Sequence, residues 1–87
     1  QRAISDLLDH VDYISAYSFA AAERLVEDYE AVLAQLTAFP ESGARSPDDP
    51  GLRLIRRQRY LYVYSYRPGA GVLVLRILFG RAQPRVG

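Results

Sequence analysis

The sequence predicts an α+β domain in which a helical hairpin packs on an antiparallel β-sheet. Three observations lead there: apolar residues recur at helical spacing through about residues 4–37, they alternate with a period of two through about residues 52–79, and a loop rich in proline and glycine separates the two regions. Eighty-seven residues suffice for one domain and hardly for two, so residues 1–87 are read as a single unit.

The first helix is expected over residues 4–15, where Ile4, Leu7, Leu8, Val11 and Ile14 form a stripe and Asp6, Asp9 and Asp12 occupy the other side. Ser15–Ser18 is a break, with Ser18 placed to cap the second helix. That helix runs from Phe19 to Thr37. Its stripe is Ala22, Leu25, Val26, Tyr29, Val32, Leu33 and Leu36, and Glu23, Glu27, Asp28 and Glu30 read as a solvated face. Phe39-Pro40 stops it, because proline disfavours the helical conformation of its predecessor. Glu41–Gly51 is expected to be loop throughout. Leu52–Arg57 and Tyr60–Arg67 then alternate as strands, Pro68-Gly69-Ala70-Gly71 makes a hairpin turn, Val72–Phe79 is the third strand, and Arg81–Gly87 is a tail. The expected sheet is a three-stranded meander.

Charge divides along the same boundary. Residues 1–50 hold three arginines against ten acids, a net −7, whereas residues 51–87 hold eight arginines and no acid, a net +8. The formal charge of +1 therefore conceals a dipolar molecule. A guanidinium pairs with carboxylates and phosphates in a planar fork and is weakly hydrated, so the basic half is where a partner should bind. Arg53, Arg56, Arg57 and Arg59 form the densest cluster, with Arg67 and Arg76 within strands.

Other classes fall away. Without cysteine there is neither a disulfide nor a thiolate metal site, which suits a reducing cytoplasm. No apolar run approaches the roughly 20 residues that cross a bilayer, and the opening residues lack the apolar core of a signal peptide. Gly69 and Gly71 serve a turn and do not cradle phosphate, and no carboxylate pair or histidine cluster points to a metal or cofactor. His10, the only histidine, is expected as a solvated helix-surface residue. Tyr60, Tyr62, Tyr64 and Tyr66 could stack nucleobases, but alternation on one strand face favours packing against the helices, with Tyr66 the exception.

The segments "DLLDHVDYI", "AAERLVEDYEAVLAQLTAFPESG", "GLRLIRRQRYLYVYSYR" and "VLVLRILFGR", in this order and spacing, resemble the RelE/ParE toxin superfamily of bacterial type II toxin–antitoxin systems over residues 3–81. The resemblance implies a β-α-α-β-β-β order whose first strand is missing here. Together with the absence of methionine, this reads as a chain trimmed at its N-terminus, with one sheet edge exposed. It also implies a cytoplasmic protein neutralised by an antitoxin whose C-terminal segment wraps the toxin.

Two activities occur in that superfamily. RelE-like members cut mRNA on the ribosome, and ParE-like members poison DNA gyrase. RNA cleavage through the 2′-hydroxyl needs a base, an acid and cations. The resemblance puts RelE-type lysines near Leu52 and Leu54 and a strand-opening arginine at Leu61. Arg81 alone matches its counterpart, no Tyr or His follows it, Phe79 stands where many relatives carry histidine, and the chain has no lysine. The expectation is therefore a ParE-like gyrase inhibitor without catalytic residues, whose Arg56, Arg57, Arg59, Arg76 and Arg81 contact the target or antitoxin. The alternatives are an mRNA interferase using Arg81 with Arg67 and Tyr66, or a non-toxic antitoxin-binding module.

Overall fold

A computed structural model describes residues 2–79 of the chain. Helix α1 spans Arg2–Ser15 and α2 spans Phe19–Ala38, joined by three residues into a hairpin. Ser18 has extended backbone (φ −155°) and its Oγ accepts from the Ala21 N–H at 3.1 Å, a cap that contributes about 1 kcal/mol. At the other end the Phe39 N–H still reaches the Gln35 carbonyl at 2.7 Å, and Pro40 allows no further turn.

Four strands complete the fold: β1 (Ala44–Arg45), β2 (Arg53–Arg57), β3 (Tyr60–Arg67) and β4 (Gly71–Phe79), antiparallel throughout and ordered β1-β2-β3-β4. The fourth strand is a correction to the expected meander, because Ala44 and Arg45 lie in the segment expected to be loop and pair with Leu54 and Arg53. Contacts made elsewhere hold them there. The Arg53 guanidinium donates to the Gly43 carbonyl at 2.8 Å and the Glu41 carbonyl at 3.3 Å, and the Ser46 N–H donates to Leu52 O at 2.9 Å. Between β1 and β2, the Gly51 N–H donates to Asp49 Oδ1 and the Leu52 N–H to Asp49 O, both at 2.9 Å.

The core sits between the hairpin and one sheet face. Tyr62, Tyr64, Leu36, Ile77 and Val32 are its largest fully buried side chains, with Leu7, Leu25, Tyr60 and Val74 around them. The tyrosine ladder is thus packing, as its alternation requires, and Tyr66 is only half-buried. The two central tyrosines differ in their hydroxyls. Tyr64 Oη donates to the Pro40 carbonyl at 2.8 Å and accepts from the Gly43 N–H at 2.9 Å, clasping the end of α2 to the sheet. Gly43 is glycine for this reason, since a Cβ there would lie 2.7 Å from both Leu54 O and Tyr64 Oη. Tyr62 Oη is buried with no hydrogen-bond partner among the described residues. Burial, with the nearby negative charge of Asp28, pushes its ionisation up from 10.0 to about 12, against the opposing pull of Arg57.

The α1 stripe also needs correcting. Ala3 and Leu7 are buried and Val11 and Ile14 half-buried, whereas Ile4 and Leu8 are 40% and 57% exposed. The narrow face 3-7-11-14 meets the sheet and α2, and Ile4 and Leu8 fall on its flank. His10 is half-buried rather than solvated, its ring edge-on to Tyr60 with centroids 5.5 Å apart.

Candidate partner-binding surface

Because β3 turns its tyrosines toward the helices, Leu61, Val63 and Ser65 face the opposite way. No described element covers that outer face. Cross-strand register builds two rows on it, Arg56–Leu61–Leu78 and Leu54–Val63–Arg76. Each row is mainly apolar and ends in one arginine, Arg56 on β2 and Arg76 on β4. The leucines and Val63 are half-buried, and Leu73 beyond them is 49% exposed. The register breaks between Val63 and Tyr64, so that Leu75 has no partner on β3, a bulge that bends this edge.

Arg76 is held in place. Its Nε donates to Asp6 Oδ2 at 2.8 Å, and the same oxygen accepts the Ile77 N–H at 3.0 Å. One carboxylate of α1 thereby anchors the arginine and satisfies a backbone donor of the edge strand. Burial alone would raise the Asp6 pKa. The hydrogen bonds from Arg76 and Ile77, with the charges of Arg76 and Arg2, outweigh it and hold the carboxyl below its usual 3.8. Arg76 remains 39% exposed, leaving its terminal nitrogens open to a partner.

The five expected contact residues do not form one patch. Arg57 lies at the far end of β2 on the helix side, opposite Tyr60, and its Nε donates to Asp28 Oδ1 at 3.0 Å. With the Arg57 side chain 42% exposed, this pair is screened by water and contributes at most about 1 kcal/mol. Arg59 is exposed in the β2–β3 turn beside Gln58, whose φ of 58° is left-handed. Arg81 lies outside the described residues. Arg53, counted with the cluster on sequence, serves the fold through its bonds to Gly43 and Glu41, and Arg45 likewise donates to the Pro50 carbonyl at 2.9 Å. Arg67 is exposed at the end of β3.

Sequence reasoning missed Asp6 and Asp28 as the acids that orient Arg76 and Arg57, having read Asp28 as merely solvated. Their partners lie 70 and 29 residues away, beyond the reach of any local pattern. Chemically, the outer face offers an apolar strip edged by cations, suited to an extended or helical segment that alternates apolar and acidic side chains. Leu54 and Leu61, which stand where the resemblance would put cations of a nuclease, belong to that strip. Among the described residues there is no cluster of potential metal ligands, and no helix is long and apolar enough to cross a membrane.

The family model described as "ParE toxin of type II toxin-antitoxin system, parDE" matches residues 1–84. No curated protein matches the chain.

Proposed function

Since the chain belongs to the RelE/ParE toxin family, and is the toxin component of a type II toxin–antitoxin system with a cognate antitoxin as partner, we propose that it inhibits DNA gyrase in the cytoplasm by binding it, without catalysing a reaction of its own. The observation that carries this reading is the chemistry of the outer sheet face. Leu54, Leu61, Val63 and Leu78 occupy its middle, and Arg56 and Arg76 stand at its edges. Cleaving RNA there would need a proton acceptor and a proton donor near the phosphorane; the strip supplies neither lysine nor histidine, and the carboxylate at its edge, Asp6, is engaged by Arg76 and the Ile77 N–H. What it supplies is apolar area with charge at the rim, the composition of a protein-binding surface. Arg56, Arg57, Arg59, Arg76 and Arg81 are the contact residues to target or antitoxin. The antitoxin segment that neutralises the protein covers the outer face with acidic side chains opposite Arg56 and Arg76.

The test is expression without antitoxin, with two assays on one preparation: plasmid supercoiling by gyrase, and integrity of mRNA in a translating extract. The expected result is blocked supercoiling or gyrase-dependent DNA cleavage with intact mRNA. Cuts at codon positions with normal gyrase would overturn the proposal in favour of an mRNA interferase, and folded protein inactive in both would leave an antitoxin-binding module. Replacing all five arginines by alanine should abolish growth arrest. Full toxicity with unchanged antitoxin affinity would remove these residues from the site.

A further inference from the structure

On the helix side of the sheet, the tip of the hairpin and the β2–β3 turn enclose a cleft of about 390 Å³ that the outer face does not share. Its floor and walls are apolar, from Ile14, Ala21 and Leu25, and its rim carries Arg24 from α2 and Arg59 and Gln58 from the turn. Asp28 also lines it, but Oδ1 of that carboxylate is engaged by Arg57. Arg24 and Arg59 have no acidic partner among the described residues. The lining therefore carries two cations against one acid that is already paired. Arg24 escapes notice in the sequence, because it stands within the acidic helix.

We propose that this cleft is a carboxylate-binding site for a peptide, with Arg24 and Arg59 pairing one acidic side chain while Ile14 and Ala21 receive an apolar neighbour. Two guanidinium groups brought to one cleft from different elements match the two oxygens of a carboxylate, and the apolar wall lowers the local dielectric and strengthens the pairing. A polyanion is disfavoured, because Glu23 and Glu27 flank Arg24 on α2 and would repel a run of phosphates. A single carboxylate beside an apolar residue meets the arginines without facing those acids. Gln58 fits the same use. Left-handed backbone at a residue other than glycine costs about 1 kcal/mol, and this one places a side-chain amide on the cleft rim.

The site shares Arg59 with the residues assigned to target contact and is tested apart from the gyrase reading through Arg24. The ¹⁵N-labelled full chain would be titrated with acetyl-Leu-Glu-Leu-amide, acetyl-Leu-Gln-Leu-amide and inorganic phosphate, monitoring the arginine Nε–Hε signals and the Gln58 backbone amide. The expected result is that the Glu peptide shifts Arg24, Arg59 and Gln58, that the Gln peptide binds at least about tenfold more weakly, and that Arg24→Ala and Arg59→Ala each weaken the Glu peptide about tenfold. Both arginines are exposed, so the variants should keep the wild-type spectrum elsewhere. Equal binding of the two peptides, or shifts confined to the outer sheet face, would overturn the proposal. Phosphate binding at Arg24 and Arg59 without the Glu peptide would overturn the peptide assignment. Arg24→Ala separates the two readings: Arg59 is also assigned to target or antitoxin contact, whereas Arg24 is not, so a failure read at Arg24 leaves the supercoiling result untouched.

Discussion

Tyr62 and Tyr64 occupy equivalent places on β3, and one hydroxyl is used while the other is not. Tyr64→Phe would strand the Gly43 N–H and the Pro40 carbonyl and should cost about 1–3 kcal/mol in urea unfolding. Tyr62→Phe removes a buried hydroxyl with no partner, so it should leave stability unchanged or raise it by up to about 1 kcal/mol. Tyr62 also makes the fold sensitive to alkali. The folded ionisation of Tyr62 is raised from 10.0 to about 12, so its protonated form supports the fold fully below pH 10 and that contribution is lost as pH rises toward 12. Tyr62→Phe should therefore gain on the wild type through that window, with a residual slope from Tyr60, which burial also raises. A parallel decline of the two proteins would show that Tyr62 is not desolvated as described.

Between elements, Asp6 ties α1 to β4. Its folded pKa is depressed, so the stability it contributes is present above pH 3.8 and lost as pH falls through the lower folded value. Asp6→Asn should be less stable than wild type by about 1 kcal/mol at neutral pH, given the exposure of Arg76, and the two unfolding curves should converge in acid. A gap independent of pH would assign the effect to packing instead. The elements that sequence revealed are those with strong periodicity: α2 with its 22-25-29-32-36 stripe, and β3 with its tyrosines. Strand β1 was hidden because both of its residues are exposed and two residues cannot display alternation. Ile4 and Leu8 misled because apolar residues at helical spacing define a broad arc, of which the sheet takes only part. The arginines of the candidate surface were legible from composition. Their division between two sides of the sheet was not, because it depends on register and on Asp6 and Asp28.

For the whole molecule, the governing property is the opposition of an acidic hairpin and an arginine-bearing sheet. Exposed charges are screened beyond roughly 10 Å at 0.1 M salt, so steering by the arginines is a property of dilute buffer. In stopped-flow mixing with purified cognate antitoxin, the association rate should fall about tenfold between 50 and 500 mM salt while the dissociation rate changes little. A salt-independent association rate would show that apolar contact alone selects the partner. The exposed turn between β1 and β2, where Asp48, Asp49 and Pro50 meet the solvent, has a different consequence. A break there leaves a helical fragment of one charge sign and a strand fragment of the other, each retaining half of the Tyr64–Gly43 clasp. Such pieces attract one another and share complementary halves of one core, which makes the protein a natural candidate for fragment complementation: a toxin stored as two separate halves, assembled only where both are made.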